Sequence, residues 1–397
     1  MKLAYTREEQ EFRAEARSWL EANVPGEPLP SFDTKEGFEA HRQWETLLNA
    51  GGWAMVPWPE QFGGRGANLL EWLIFEEEYY RVRAPKRVNQ NGIFLLGPTI
   101  MEYGSAEQKT RYLPKMASSE EVWAQGWSEP NAGSDMANIQ TTAFRDGDHY
   151  VVNGQKTWAS RGAFADWLFG MFRTDPESER HRGLTFILVP LDLPGITVRP
   201  IEQLDGLPGF AEVFFDEVRV PVEQRLGKEG EGWKVAMATA GFERGLMLRS
   251  PARFQDTARR LVELCHSEQS ESQVEPRVRD EVVRCWMGAE AYTLETYRTV
   301  CRLLAGGKIG AEASLNKIFW SELDLRMHEL ALDLLGDRAE LLAEAPAAGN
   351  LGGVGGGVGG VGDWLDGYLF ALSGPIYAGT NEIQRNIIAE RILGMPR

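Results

Sequence analysis

The chain has 397 residues, too many for one simple hydrophobic core, so two or three domains are expected. Hydrophobic residues make up 43% of it, as in ordinary globular proteins. A formal net charge of −16 argues against nucleic acid and against anionic membrane surfaces as partners.

No apolar run approaches the length of a membrane span. The N-terminus, Met1-Lys2-Leu3-Ala4-Tyr5, leads into a charged helix without a signal-peptide pattern. Cys265, Cys285 and Cys301 are too scattered for a disulfide framework and fit a reducing cytosol, so a cytoplasmic location is expected. The five histidines show no metal-ligand spacing, and no metal is expected. Cys265-His266 reads as a chance pair at a surface or helix end.

The first part of the chain reads as helices. Thr6 and Glu9 have capping-box spacing, and Phe12, Ala16, Trp19 and Leu20 then share one helical face. Pro25, Pro28 and Pro30 end that helix. A second helix through Phe38, Trp44 and Leu47 stops at Gly51-Gly52. After a glycine-rich loop, a third covers residues 69–80, with Glu76, Glu77 and Glu78 on a solvated edge. The apolar run 93–101 is expected as a buried helix, and Ser105 with Gln108 caps another that ends near Pro114.

Near Val122 the pattern changes. Strands are expected at 150–152, 167–172, 184–189, 196–198 and 213–220, divided by turns such as Asp146-Gly147-Asp148 and Asn153-Gly154. Short strands at this spacing suit a small barrel or sandwich. Helix returns near Gly232, with long helices over 233–265, 277–304, 311–335 and 380–393. The low-complexity stretch 351–362, L-G-G-V-G-G-G-V-G-G-V-G, matches G-x-G-x-x-G through sheer glycine density. With no strand before it and no suitably spaced helix after it, it reads as a flexible surface linker.

Two stretches in the middle region hold the chemistry. Residues 127–135 read W-S-E-P-N-A-G-S-D and residues 153–160 read N-G-Q-K-T-W-A-S. Gly133 allows close backbone approach to a ligand, while Ser128, Ser134 and Ser160 offer hydrogen bonds to a heteroatom edge. Trp127 and Trp158 can stack on or wall off a ring. The inventory suits a flat, polar-edged aromatic cofactor, and equally a β-hairpin domain with polar turns.

The ordered pair S-E-P-x-A-G-S-D and N-G-x-K-x-W-x-S resembles the flavin-binding signature of the acyl-CoA dehydrogenase family. The resemblance extends to Trp58-Pro59 and Phe62-Gly63-Gly64 upstream, and to Tyr377-Ala378-Gly379-Thr380 with Ile383-Gln384-Arg385 near the end. It implies an α+β architecture: an N-terminal helical domain (1–122), a middle β-barrel (123–231) and a C-terminal helical bundle (232–397) interrupted by the glycine-rich insertion. It also implies FAD, with Gln125, Trp127, Ser128, Gly133, Ser134, Trp158 and Ser160 along the isoalloxazine, Ser160 near N5, and Gly379 and Thr380 by the diphosphate. Enzymes of this family desaturate a CoA thioester. A carboxylate removes the α-proton, a hydride leaves the β-carbon for flavin N5, and donors steady the thioester oxygen.

The sequence departs from the commonest family pattern at the base. Many members carry a glutamate directly before the C-terminal Gly-Thr, where this chain has Ala378. Other members place it on the first long helix of the C-terminal domain, and Phe242-Glu243-Arg244 matches that position. Glu243 is therefore the expected base, with Arg244 orienting the site or touching CoA, and the Ala378 N–H joining the oxyanion hole. Small and apolar flanks, Ala240-Gly241-Phe242 and Gly245-Leu246-Met247, oppose a solvated Glu–Arg pair.

A second departure concerns the segments that homotetrameric members lend to a neighbour's FAD, R-x-x-F-G and Q-x-x-G-G. Here they read S-E-Q-S-E-S at 267–272 and D-L-L-G-D at 333–337. Relatives in actinobacterial steroid side-chain degradation look like this and form tetramers of two unlike chains. A heterotetramer with a paralogous chain and a homotetramer using other contacts are both open. The resemblance implies an electron-transfer flavoprotein as acceptor. An oxidase returning electrons to oxygen and a non-catalytic partner subunit are the alternatives. Straight, branched and bulky acyl groups, on CoA or an acyl-carrier protein, all remain compatible.

Overall fold

The computed structural model describes residues 4–243, 250–271, 274–340 and 361–396. Its helices are α1 (Arg7–Asn23), α2 (Lys35–Ala50), α3 (Leu69–Arg81), α4 (Gly97–Tyr103), α5 (Ala106–Ala117), α6 (Gly232–Glu243), α7 (Pro251–Glu271), α8 (Pro276–Leu304), α9 (Ala313–Leu335), α10 (Val361–Ala371) and α11 (Asn381–Arg391). Its strands are β1 (Trp123–Gly126), β2 (Thr142–Asp146), β3 (His149–Ser160), β4 (Trp167–Arg173), β5 (Leu184–Pro190), β6 (Ile196–Ile201), β7 (Phe210–Pro221) and β8 (Arg225–Leu226). Helices before and after a middle sheet make the α+β architecture expected from the sequence. Backbone contacts divide the chain into two compact units: residues 1–32, 56–86 and 244–397, and residues 33–55 and 87–243.

The second unit holds the sheet. Its strand order is β6-β7-β3-β2-β4-β5-β8, with β1 pairing β4 in parallel. The long antiparallel pair of β3 and β7 shifts register twice, between Val152 and Gly154 and between Lys156 and Ala159. Tyr150, Val152, Phe172, Val189 and Val218 are among the residues of its core. The short strands β1, β2 and β8 were not anticipated individually.

The first unit packs α3 against α1, α7 and α8. Both capping boxes form: the Thr6 hydroxyl accepts from the Glu9 N–H at 3.2 Å, and the Ser105 hydroxyl, in the sheet-bearing unit, accepts from the Gln108 N–H at 3.2 Å. The core of the first unit includes Phe254, Tyr292, Trp320, Met327 and Trp364.

Several local expectations are corrected. Glu76 and Glu78 are buried, because α3 is covered on both flanks. Glu78 takes Arg17 at 2.8 Å and Arg81 at 2.7 Å, and these cations hold its carboxyl low despite burial, which pushes the other way. Pro114 does not end α5. It sits inside the helix, whose last turn is held by the fully buried Leu113 and Met116. The helix expected over 233–265 is broken. Pro251 starts a new helix, where its missing N–H removes no intrahelical bond. Cys265 is buried in the same core cluster as Cys285, not at a surface. Helix α10 was missed, and it begins at Val361, so a helix does follow the glycine-rich run; residues 351–360 of that run lie outside the described residues.

Within the helical unit, α7 and α9 are joined by a buried polar group. Arg253 donates to Asp324 at 2.5 Å, and the His328 ring nitrogen Nδ1 lies 2.8 Å from the Asp324 carbonyl. Burial lowers the His328 pKa, against the opposing pull of Asp324 and with the support of Arg253 and Arg260. The stability that follows is fully present above about pH 6.5, the unfolded value. It falls as pH drops, because the unfolded chain takes up a proton that the folded state resists. Thermal unfolding should therefore be lower at about pH 5.5 than at about pH 7.5. His328→Asn should reduce that difference; an unchanged pH dependence would contradict the assignment.

Candidate functional site

The two motifs meet through a defect in a strand. β3 pairs with β7 at Lys156↔Val213 and again at Ala159↔Ala211, so Thr157 and Trp158 drop out of that ladder. The freed Thr157 N–H donates to the Ser128 carbonyl at 2.9 Å, joining W-S-E-P to K-T-W-A-S. Trp158 adopts a left-handed φ of 58°, which costs an ordinary residue roughly 1–2 kcal/mol. It is 58% exposed, with its ring edge-on to Phe210 at 5.9 Å. An exposed tryptophan held in a strained backbone is more often a binding feature than a packing one.

Beneath this junction lies a buried ion pair. The Lys156 ammonium is fully buried and donates to Glu129 Oε1 at 2.8 Å and to the Met171 carbonyl at 2.7 Å. Glu129 also accepts the N–H groups of Gln140 at 2.6 Å and Thr141 at 3.0 Å. Burial works against both charges. It lowers the Lys156 pKa despite Glu129, whereas Lys156 and the hydrogen bonds from Gln140 and Thr141 keep Glu129 below the usual glutamate range. Both residues stand inside the quoted motifs, yet neither was assigned a role. The signal was available: an S-E-P glutamate and an N-G-x-K lysine on an otherwise apolar sheet need each other.

Other elements fix the edges. Arg173, at the end of β4, donates to the carbonyls of Ile139 at 2.9 Å, Ala137 at 3.2 Å and Arg180 at 2.8 Å, tying down the loop after the first motif. The entry to β1 is set by Asn89, whose side chain accepts from the Trp123 N–H at 3.1 Å and donates to the Glu121 carbonyl at 3.0 Å. Asn89 is in turn held by Glu45, which also takes Arg87 at 2.7 Å. These residues carried no sequence signal of function.

Of the residues singled out by sequence, Gln125 lies on β1 opposite Phe169, and Ser128 and Ser160 are half-buried. Gly133 and Ser134 are exposed, and a Cβ on Gly133 would meet nothing. The Trp127 indole N–H is buried without a hydrogen-bond partner among the described residues. An orphaned indole donor, an open approach at Gly133 and a projecting Trp158 fit a flat cofactor.

Ala378, Gly379 and Thr380 belong to the helical unit. Ala378 and Gly379 take left-handed φ values of 56° and 81° in succession. The buried Gln384 amide donates to both of their carbonyls, at 3.4 and 3.2 Å. The Ala378 N–H donates to no backbone carbonyl among the described residues. Thr380 caps α11, accepting from the Ile383 N–H at 3.2 Å. Glu243 is the last residue of α6, and its side chain lies outside the described set; Arg244 lies outside the described residues altogether.

Lys156→Met should cost about 3–5 kcal/mol in urea unfolding, because it strands Glu129 in the sheet. Lys156→Met with Glu129→Gln should recover part of the loss. A single variant as stable as the parent would contradict the clamp.

Three family models cover the chain: the acyl-CoA dehydrogenase N-terminal domain at residues 6–120, the middle domain at 124–218 and the C-terminal domain at 230–393. The acyl-CoA dehydrogenase IpdE1 of Mycobacterium tuberculosis is 39% identical over 395 residues, 98% of each chain. The ChsE4-ChsE5 complex from Mycobacterium tuberculosis contains a chain of similar fold, with TM-score 0.82, 32% identity and full coverage of both chains at 100%. The Tcur3481-Tcur3483 steroid ACAD matches with TM-score 0.85, 28% identity and coverage of 100% on both sides. With the paired motifs, their clamped junction and family models along nearly its whole length, the chain belongs to the acyl-CoA dehydrogenase family.

Proposed function

We propose that the chain is a cytosolic, FAD-dependent dehydrogenase subunit that introduces an α,β double bond into an acyl-CoA thioester. The observation that carries this reading is the junction of the two motifs, with the Trp127 indole N–H unpaired among the described residues and Trp158 exposed on the second motif. The three-domain division at 1–122, 123–231 and 232–397 is part of the proposal.

Glu243 removes the α-proton. A carboxylate doing so near neutral pH needs a raised pKa, which an apolar acyl chain and the flanks Gly241-Phe242 would supply by desolvation. The Ala378 N–H, without a backbone partner among the described residues, serves the thioester oxygen, and its left-handed backbone is the kind of strain a site retains. Gln125, Trp127, Ser128, Gly133, Ser134, Trp158 and Ser160 hold the isoalloxazine, and Gly379 with Thr380 at the α11 N-terminus holds the diphosphate. FAD, when bound, supplies the acceptor for the hydride that leaves the β-carbon. Arg244 orients the thioester or CoA, and an electron-transfer flavoprotein is the proposed onward acceptor.

The partner is proposed to be a paralogous chain. Of the two segments that depart from the lending pattern, the first has its Glu268, on α7, paired with Arg338, the residue directly after the second. A cation neutralised in this way is a poor receptor for a neighbour's diphosphate. Trp286, Met287 and Leu294 on α8 and Phe319 on α9 are exposed apolar side chains suited to an oligomer interface.

Glu243→Gln should leave flavin bound while turnover with a dye acceptor falls by at least about 100-fold, since a positioned general base contributes roughly 10²–10⁴. Normal turnover in that variant would sink the assignment. Oxygen uptake stoichiometric with turnover would turn the reading to an oxidase. Native mass spectrometry after co-expression with a neighbouring paralogue should give a tetramer of unlike chains; a tetramer of this chain alone in both preparations would contradict the paired-chain reading.

A further inference from the structure

Two helices of the sheet-bearing unit are joined by a pair of hydroxyls. Thr99 on α4 and Thr239 on α6 are fully buried, and their hydroxyl oxygens lie 2.9 Å apart. Each also reaches back along its own helix, Thr99 to the Leu95 carbonyl at 2.7 Å and Thr239 to the Val235 carbonyl at 2.9 Å. Two hydroxyl protons cannot serve three contacts at once. One crosses between the helices when the pair closes, and the other stays on a carbonyl of its own helix.

The α4 side of this contact is irregular. Residues Asn91–Leu96 form a π-helical turn, closed by the Gly97 N–H on the Gly92 carbonyl, and α6 packs against both this turn and α4. Pro98 follows, with no N–H to donate. Wide turns of this kind are frequent at functional sites. On the other side, Thr239 is the last buried residue of α6 among the described residues: Ala240 and Phe242 are half-buried and Gly241 is exposed. Its hydroxyl makes the last side-chain hydrogen bond of α6 among the described residues. Glu243, which ends the helix, stands four residues further on, and residues four apart are neighbours along one helical face. A final helical turn frays unless something holds it, and here the hold is the bond to Thr99.

Resting on the proposed assignment of Glu243 as the base, we propose that Thr239 and Thr99 are positioning residues for it. The hydroxyl bond between α6 and α4 sets where the final turn of α6 stands, and so aims the removal of the α-proton. A base works only within hydrogen-bond reach of its proton, and a displacement of about 1 Å costs on the order of 100-fold.

The test reads proton abstraction by itself. 3-Thiaoctanoyl-CoA carries sulfur at the β position and has no hydride to lose there, so exchange of its α-hydrogens in heavy water, followed by NMR on the flavin-loaded assembly, reports the base alone. Thr239→Val removes the hydroxyl at nearly constant volume and leaves Thr99 bonded to the Leu95 carbonyl. Exchange should slow roughly 10- to 100-fold, while flavin content is unchanged and the thioester Kd stays within about threefold, well short of the tenfold change that 1.4 kcal/mol brings. Thr239→Ser should restore it. Thr99→Val breaks the same bond from the other side and should match Thr239→Val, and the double variant should be no slower than either, because both remove one interaction. Exchange in T239V within about threefold of the parent, losses that add in the double variant, or a loss tracked by weaker flavin or thioester binding would each overturn the inference. Undiminished exchange in Glu243→Gln would overturn the base assignment beneath it, and the inference with it.

Discussion

The Glu129–Lys156 pair is the constraint on which the candidate site depends. A lysine with no exposed surface stays in a sheet only if its ammonium is met, and here a carboxylate and a carbonyl meet it. The same carboxylate gathers the Gln140 and Thr141 N–H groups. One ion pair therefore fixes three chain segments: the first motif, the loop behind it and the second motif. The bulge at Thr157 and Trp158 then has a stable platform, and the strain in Trp158 is borne by the residues around it.

The helical unit obeys a parallel logic with a different outcome. Glu78 takes Arg17, Arg81 and Arg13, and this network locks α3 to α1. Arg253 and Asp324 lock α7 to α9 but leave atoms unspent.

Much of this was legible in the sequence. The capping boxes at Thr6 and Ser105, the glycine stop at Gly51 and most strands followed from local chemistry that tertiary contacts did not override. The family membership was legible because the order and spacing of the paired motifs are long and specific. Helix ends at Pro114 and Pro251 were misread, because a proline's effect depends on whether the neighbouring turn is buried and on where the helix begins. Glu76 and Glu78 were misplaced because a run of like charge looks solvated until the arginines of another helix are found. The roles of Glu129, Lys156, Asn89 and Arg253 depend on partners far away in sequence, which no local pattern displays.

The chain keeps the motifs expected to hold a flavin, while Glu268, in one of the segments that depart from the lending pattern, is paired with Arg338, just beyond the other. The most direct measurement is the flavin-to-protein ratio, from visible absorbance, of the chain expressed alone and with its paralogue. Little flavin alone and about one per pair of unlike chains is the predicted result, since binding confined to the assembled state follows mass action. One flavin for every copy of the chain expressed alone would contradict it.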